Sequence, residues 1–230
     1  MLMFNLIAAS AYFLLIHFAV SGTRLRDTLV ARLGEGFYRG AFSLASLVGL
    51  VWMISGYRRA PTVELWGQLT VLRLLAFALV FIAFLFVVIG LATPSPTGVG
   101  MESKLVEGKD MARGVVRITR HPFLWGVALW ALVHLIMNGD LASLVLFGSL
   151  LLLALGGTVA IDAKRRRKFG DDWVRFAHTT SNIPFAAILT GRNTIVAALG
   201  EIGVMRPLLA VLVYALIFYF HGRVFGAPLL

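Results

Sequence analysis

The chain has 230 residues, of which 59% are hydrophobic and only 14% are charged, against roughly 25% charged residues in a soluble domain. This composition, with a mean hydropathy of +0.87, excludes both a water-soluble globular protein and a disordered chain and predicts an integral membrane protein. The absence of cysteine excludes disulfides, thiolate metal sites and a cysteine nucleophile. The net charge of +10 comes from basic residues between apolar runs, which favours membrane orientation over nucleic-acid binding.

Six apolar runs predict six transmembrane helices in a single all-α domain over residues 1–230, because a span needs about 20 mainly apolar residues. The first run has no basic segment before it, so we predict a retained span rather than a signal peptide. The fourth is the shortest, and Asn138-Gly139-Asp140 predicts a tight hairpin into the fifth. The apolar stretch 194–205, which contains Glu201, is a candidate to lie along the membrane interface. The predicted spans are 2–20, 37–56, 71–92, 122–137, 141–161 and 206–221.

The basic residues predict the orientation of these spans. Of the 21 lysines and arginines, 17 fall in the first, third and fifth loop regions. The positive-inside rule therefore places these loops in the cytoplasm and both termini on the outer, periplasmic side. The other side keeps Arg58, Arg59, Arg73 and Arg223.

Histidines near the ends of the spans are the main candidates for chemistry, since ionisable groups inside membranes are often functional. His121 precedes Pro122 and is the predicted cap of the fourth span. His134 lies thirteen residues further on, about 20 Å along a helix, so the two cannot share one small site. A six-coordinate haem needs two histidines at a similar depth in the membrane. The predicted depths pair His17 with His121, or His134 with His221. Hydrogen bonding between helices is the alternative role of these histidines, and His178 is predicted to be a solvated loop residue.

Several motifs resemble the NnrU family of bacterial membrane proteins, in order along nearly the whole chain. They include "HFAVSGTRLRD" at 17–27, "RLGEGFYRGAFSLASL" at 32–47, "ITRHPFLWG" at 118–126 and "TSNIPFAAILTGRN" at 180–193. The resemblance implies a protein of the bacterial inner membrane that is linked to nitrite and nitric oxide reduction. Respiratory nitrogen-oxide reductase components and membrane lipids are then the expected partners.

The same resemblance extends to plastid zeta-carotene isomerase, a haem b protein that isomerises a cis double bond of a lipid-soluble polyene. Carried over to this chain, its haem ligands fall on His17 and His134, with His121 as the rival for the second position. The basic residues nearest His17 and His121 are then candidates to bind the haem propionates; these are Arg24, Arg26, Arg117 and Arg120. The leading hypothesis is a haem-dependent isomerase or redox protein.

A second resemblance gives an alternative function. "RHPFLWG" followed by "DAKRRRKFGDDWVRFAHTTSNIPF" is similar to membrane isoprenylcysteine and phospholipid methyltransferases. This implies that Arg120 and His121 hold S-adenosylmethionine and that Asp162 replaces the usual glutamate. Leu124 occupies the aromatic position of that motif, which is a departure from it. A third reading is a non-catalytic scaffold of a respiratory complex.

Overall fold

A computed structural model of the chain describes residues 1–98, 100–101, 105 and 112–226. Lys104 and Lys109, which belong to the predicted third loop, lie outside these residues. Within the described ranges the structure is helical, with one isolated antiparallel bridge between Glu64 and Asp140. The helices are α1 (Leu2–Leu15), α2 (Leu25–Leu33), α3 (Glu35–Arg59), α4 (Arg73–Leu91), α5 (Pro122–Asn138), α6 (Leu141–Thr179), α7 (Ala186–Leu189), α8 (Ile195–Ile202) and α9 (Met205–Phe225).

The helices confirm an all-α protein with several membrane spans. Five helical segments of the described chain are long and apolar enough to cross a membrane, and they correspond to the first, second, third, fifth and sixth predicted spans. The fourth predicted span corresponds to α5, which has 17 residues and is the shorter apolar helix. It begins at Pro122 and ends at Asn138, so the predicted start of the span and the hairpin turn after it are confirmed.

Helix ends deviate from the predicted spans where hydropathy carries no signal. α6 continues through the basic run that follows the fifth span and reaches Thr179, with a break at Gly170 (φ 48°, ψ −120°). Lysine and arginine are good helix formers, so leaving the apolar run does not end the helix. Helix α2 was not predicted, because its short polar and apolar mixture has no span-like run.

The described chain forms two compact units. The first comprises Met1–Ala76 and Ala131–Lys164. In it α1 packs antiparallel to α3, because Leu6 lies against Gly56 whereas Phe13 lies against Gly49. The backbone carbonyl of Gly139, in the turn between α5 and α6, accepts hydrogen bonds from three successive N–H groups of the loop after α3. In this unit, backbone hydrogen bonds therefore hold the loop after α3 against the turn between α5 and α6.

The second unit comprises Phe77–Trp130 and Arg165–Leu230. Helix α8 packs on a 3₁₀ turn, Gly114–Arg117. Their shared apolar core contains Ile89, Val115, Ile118, Ala198 and Ile202. Elsewhere in this unit the Tyr214 hydroxyl of α9 donates to the Phe77 carbonyl at 3.2 Å. A single domain over 1–230 stays a prediction.

Candidate functional site

The end of the first span has an unusual backbone. After α1 the chain continues as a π-helix over Ile16–Ser21, a rare conformation that often occurs at functional sites. Gly22 follows directly, and a Cβ atom there would lie 2.6 Å from the Phe18 carbonyl oxygen. The close approach of this carbonyl explains why the π-helix is followed by glycine. His17 lies inside this widened turn.

The His17 imidazole is held in a defined orientation. Its Nδ1 lies 2.7 Å from the Phe13 carbonyl oxygen. A carbonyl can only accept, so Nδ1 carries the proton, and in the neutral ring Nε2 keeps its lone pair. The ring packs against Phe13 (4.4 Å between centroids) and Phe42 (5.1 Å). A histidine whose Nδ1–H donates to a backbone carbonyl and whose Nε2 is a free base is the usual arrangement of a metal ligand.

A row of interacting side chains leads from His17 towards basic groups. Tyr38 stacks on Phe42 with 5.9 Å between ring centroids and 19° between ring planes. The Arg26 guanidinium lies 5.4 Å above the Tyr38 ring and donates to Glu35 at 2.7 Å. The predicted propionate ligand Arg26 is thus linked to His17 through two intervening rings, those of Tyr38 and Phe42. Arg24 precedes α2 and is exposed.

His134 belongs to a different cluster of the first unit. Its ring lies 5.1 Å from Phe147, which contacts Tyr57 at 5.9 Å. The Ser143 hydroxyl donates to the Asp140 carboxylate at 2.6 Å, so the Tyr57 hydroxyl, 2.9 Å away, donates to Ser143. Asp140 also accepts from the Ser143 backbone N–H at 2.9 Å. This cluster caps the start of α6.

The separation between His17 and His134 can be estimated from their contacts along two helices, α3 and α6. His17 contacts Phe42 on α3, and the cluster of His134 contacts the same helix at Tyr57, fifteen residues or about 22 Å further on. On α6, the Phe18 ring packs against Gly156, whereas His134 packs against Phe147, nine residues or about 13 Å away.

Two histidines that bind one metal ion would need their ligand nitrogens within about 4 Å of each other, given metal–nitrogen bonds of about 2 Å. The structure therefore does not bring His17 and His134 together at one site.

The rival ligand His121 lies in the second unit and is 2% exposed. It directly precedes α5, as predicted, and its backbone N–H is 3.3 Å from the Thr119 hydroxyl. The neighbouring Arg120 guanidinium lies 5.7 Å from the Trp173 ring, and its backbone carbonyl accepts from the Thr97 hydroxyl at 2.5 Å. Both side chains are thus part of the packing of this unit. The predicted roles of Arg120 and His121 in binding S-adenosylmethionine, and that of Asp162, stay predictions.

Arg117, the remaining predicted propionate ligand, is engaged by other protein groups. Its Nε and Nη2 donate to the two carboxylate oxygens of Glu201, each at 2.8 Å, and its Nη1 donates to the Asn193 side chain at 2.8 Å. The Gly114 N–H donates to the same carboxylate at 2.7 Å. Arg117 therefore joins α8 to the 3₁₀ turn.

The other two histidines lie in the second unit. His178 is exposed near the end of α6, and His221 lies beside Phe225 on α9, with 4.9 Å between ring centroids. Within the described ranges no three His, Asp or Glu side chains are grouped to hold a metal ion. A haem needs only one or two protein ligands, so this finding concerns only metal ions that are held by three or more such side chains.

Gly22→Ala should disturb the π-helix that orients His17. The new Cβ would overlap the Phe18 carbonyl, and the backbone must shift, at a cost of about 1–3 kcal/mol. We expect a lower melting temperature of the detergent-solubilised protein by circular dichroism. Gly36→Ala is the control: no atom lies within 4 Å of its Cβ position, so its melting temperature should stay equal or rise. Equal melting temperatures for both variants would contradict the close approach at Gly22.

Comparison with known proteins gives matches to one family model and to two plant enzymes. The model described as "NnrU protein" matches residues 5–229. The 15-cis-zeta-carotene isomerase of Arabidopsis thaliana is 32% identical over 115 residues, which are 50% of this chain and 31% of the relative. That of Zea mays is 29% identical over 179 residues, 74% of this chain and 46% of the relative. The matches thus span less than half the length of these relatives, both of which are chloroplastic. No solved structure matches.

Proposed function

Since the chain belongs to the NnrU family, we propose that it is a membrane isomerase that acts on a double bond of a lipid-soluble polyene with haem b as its cofactor. The substrate class is the one on which the two plant relatives are named, 15-cis-zeta-carotene. The apolar helices support it, because a polyene would reach such a protein from the bilayer rather than from water.

The observation that carries the proposal is the orientation of His17. The Phe13 carbonyl fixes the Nδ1–H tautomer, and so leaves Nε2 as a base near the end of a span. Within the described residues no hydrogen bond engages that Nε2. The residues fit a haem held by His17 alone on the protein side, with Arg26, which lies beyond the Phe42 and Tyr38 rings, as the candidate to meet a propionate.

The chemistry divides between the cofactor and the chain. A bound haem b would supply an iron able to lower the barrier to rotation about a conjugated double bond. The chain would hold the iron through His17, fix the ring of His17 through Phe13 and Phe42, and exclude water with apolar helices. His134 lies at another level of the same unit and is not required as a ligand.

The His17→Ala variant tests this assignment directly. We expect purified wild-type protein to take up haem with a Soret band and a pyridine haemochrome of haem b, and His17→Ala to lose most of both. His178→Ala is the matched control, because His178 is exposed and should leave haem content unchanged. His134→Ala should also retain haem. Unchanged haem content in His17→Ala, or a colourless wild type after haem feeding, would contradict the proposal.

The same variants test the reaction. Wild-type protein in liposomes with 15-cis-zeta-carotene should change the isomer ratio measured by chromatography, and His17→Ala should not. A wild type that binds haem but has no isomerase activity would show that the protein is a haem protein with another function. The link to nitrite and nitric oxide reduction, and the partners that it implies, stay predictions.

The proposed location is a bacterial cytoplasmic membrane, with both termini in the periplasm. It is supported by the apolar helices and by the excess of basic residues in alternate loops.

A further inference from the structure

Tyr38 has a buried hydroxyl group that the fold does not satisfy. The residue is 6% exposed, on the first turns of α3. Its hydroxyl lies beside Ser21, the last residue of the π-helix. It makes no hydrogen bond of acceptable geometry with any residue that the structure describes. A buried polar group without a partner costs free energy and is rare in folded proteins. One cause of such a group is a bound molecule that completes the hydrogen bond.

The surroundings of Tyr38 show what kind of molecule would fit. Arg26 lies over the Tyr38 ring, and its side chain is only 11% exposed. Arg26 shares Glu35 with Arg39, which donates to the same oxygen at 2.9 Å. Arg26 also faces the Asp27 carboxylate at 3.6 Å, so the two guanidinium groups are matched by two carboxylates. A hydroxyl donor beside a guanidinium group, which is itself only a donor, suits an acceptor that carries negative charge.

The position relative to His17 restricts the ligand further. Tyr38 contacts Phe42, and Phe42 contacts His17, with centroid distances of 5.9 and 5.1 Å. A molecule bound at the His17 Nε2 would reach Tyr38 and Arg26 if it extends past the Phe42 ring. Its carboxylate would lie near the end of the span, where a charged group is least costly to place.

We propose that the Tyr38 hydroxyl, with Arg26, binds a carboxylate of the molecule held by His17, and thereby positions that molecule. This inference rests on the proposed function, in which the molecule is haem b and the carboxylate is one of its propionates. Tyr38 is a ligand-binding residue, and its hydroxyl donates the hydrogen bond that the fold leaves open.

Tyr38→Phe tests the inference through two separate measurements. The melting temperature of the haem-free variant should equal or exceed that of the wild type, because phenylalanine removes an unsatisfied buried hydroxyl. The affinity for haemin, titrated by the Soret band, should fall about tenfold, the value of one hydrogen bond to a charged group. A structural tyrosine would give the opposite pattern, with a lower melting temperature and unchanged affinity.

Haemin dimethyl ester, whose propionates carry no charge, identifies the group that Tyr38 contacts. The wild type should bind the ester more weakly than haemin, and Tyr38→Phe should remove most of that difference. Tyr57→Phe is the control, because the Tyr57 hydroxyl is bonded to Ser143. It should lower the melting temperature and leave haemin affinity unchanged.

The outcomes separate this inference from the proposed function. Wild-type protein that binds no haemin would overturn both. Binding that depends on His17 but is equal in Tyr38→Phe, or a haem-free Tyr38→Phe that melts at a lower temperature than the wild type, would overturn the role of Tyr38 alone. The second result would show that Ser21 completes the hydrogen bond in solution.

Discussion

Gly139→Ala should destabilise the first unit by about 4 kcal/mol, the largest effect that we expect for a single substitution in the protein. Gly139 has a φ of 64°, which is strained for alanine, and its Cβ position lies 2.1 Å from the Gly67 carbonyl oxygen. Strain of this kind costs about 1–3 kcal/mol, and overpacking adds a similar amount. The Gly139 carbonyl also accepts from Leu65, Trp66 and Gly67 at 2.9–3.2 Å, so the loop after α3 would move away from the turn.

Two controls separate these causes. Gly34→Ala also has a positive φ (83°, with ψ 150°), in a region almost restricted to glycine, but no atom lies within 4 Å of its Cβ position, so it should cost only the backbone strain of about 1–3 kcal/mol. Gly148→Ala meets only Leu135 at 3.7 Å and should be neutral or slightly stabilising. Melting temperatures in one detergent would rank the three variants. A Gly139→Ala protein as stable as Gly34→Ala would show that the loop is not closely packed on the turn.

Hydropathy was a sufficient guide to the membrane helices. The apolar runs place the spans because each must be long enough to cross the bilayer, and Pro122 and the Asn138-Gly139-Asp140 turn mark the ends of α5. The π-helix around His17 could not be predicted in this way. It changes only the hydrogen-bond spacing of an apolar helix, and Gly22 is the one residue in the sequence that signals it.

The candidate site was predicted in part. His17 was named from its depth in the first span and from the resemblance to zeta-carotene isomerase, and Arg26 as a basic residue near it. The structure links the two through Tyr38 and Phe42. Tyr38 was missed, although it lies within "RLGEGFYRGAFSLASL", because a buried unsatisfied hydroxyl is visible only in three dimensions. Arg117 was assigned to a propionate because it is basic and lies near His121. Its partner Glu201 is 84 residues away, beyond any local pattern.

The Arg117–Glu201 ion pair gives the second large effect, on the stability of the second unit. It is bidentate, with the Arg117 side chain 17% exposed, and Glu201 also accepts from the Gly114 N–H. Since Glu201 is partly exposed, we expect Glu201→Gln to cost about 1–2 kcal/mol at pH 7, the lower part of the range for hydrogen bonds to charged groups. Asp172→Asn, which breaks the exposed pair with Arg175, is the control and should cost less than about 0.5 kcal/mol.

The pH dependence of melting follows from the same pair. The hydrogen bonds from Arg117 lower the pKa of Glu201 from 4.5 to about 2. The folded pKa is lower than the unfolded one, so the stabilisation is complete above about pH 4.5 and is lost as the pH falls towards 2. Between pH 5 and 3 the wild type should therefore lose more stability than Glu201→Gln. Equal losses in the two proteins would show that Glu201 titrates normally and that the pair is not formed in solution.

A double-mutant cycle decides between the two roles of Arg117. If Arg117 joins α8 to the 3₁₀ turn, then Arg117→Gln and Glu201→Gln should lower the melting temperature by similar amounts. The double variant should then lose little more than either single variant, a coupling of about 1 kcal/mol or more. If Arg117 instead binds a propionate, Arg117→Gln should lower haemin affinity while Glu201→Gln does not. Because three of its nitrogens already donate to Glu201 and Asn193, we expect the first pattern, with equal haemin affinity in both single variants.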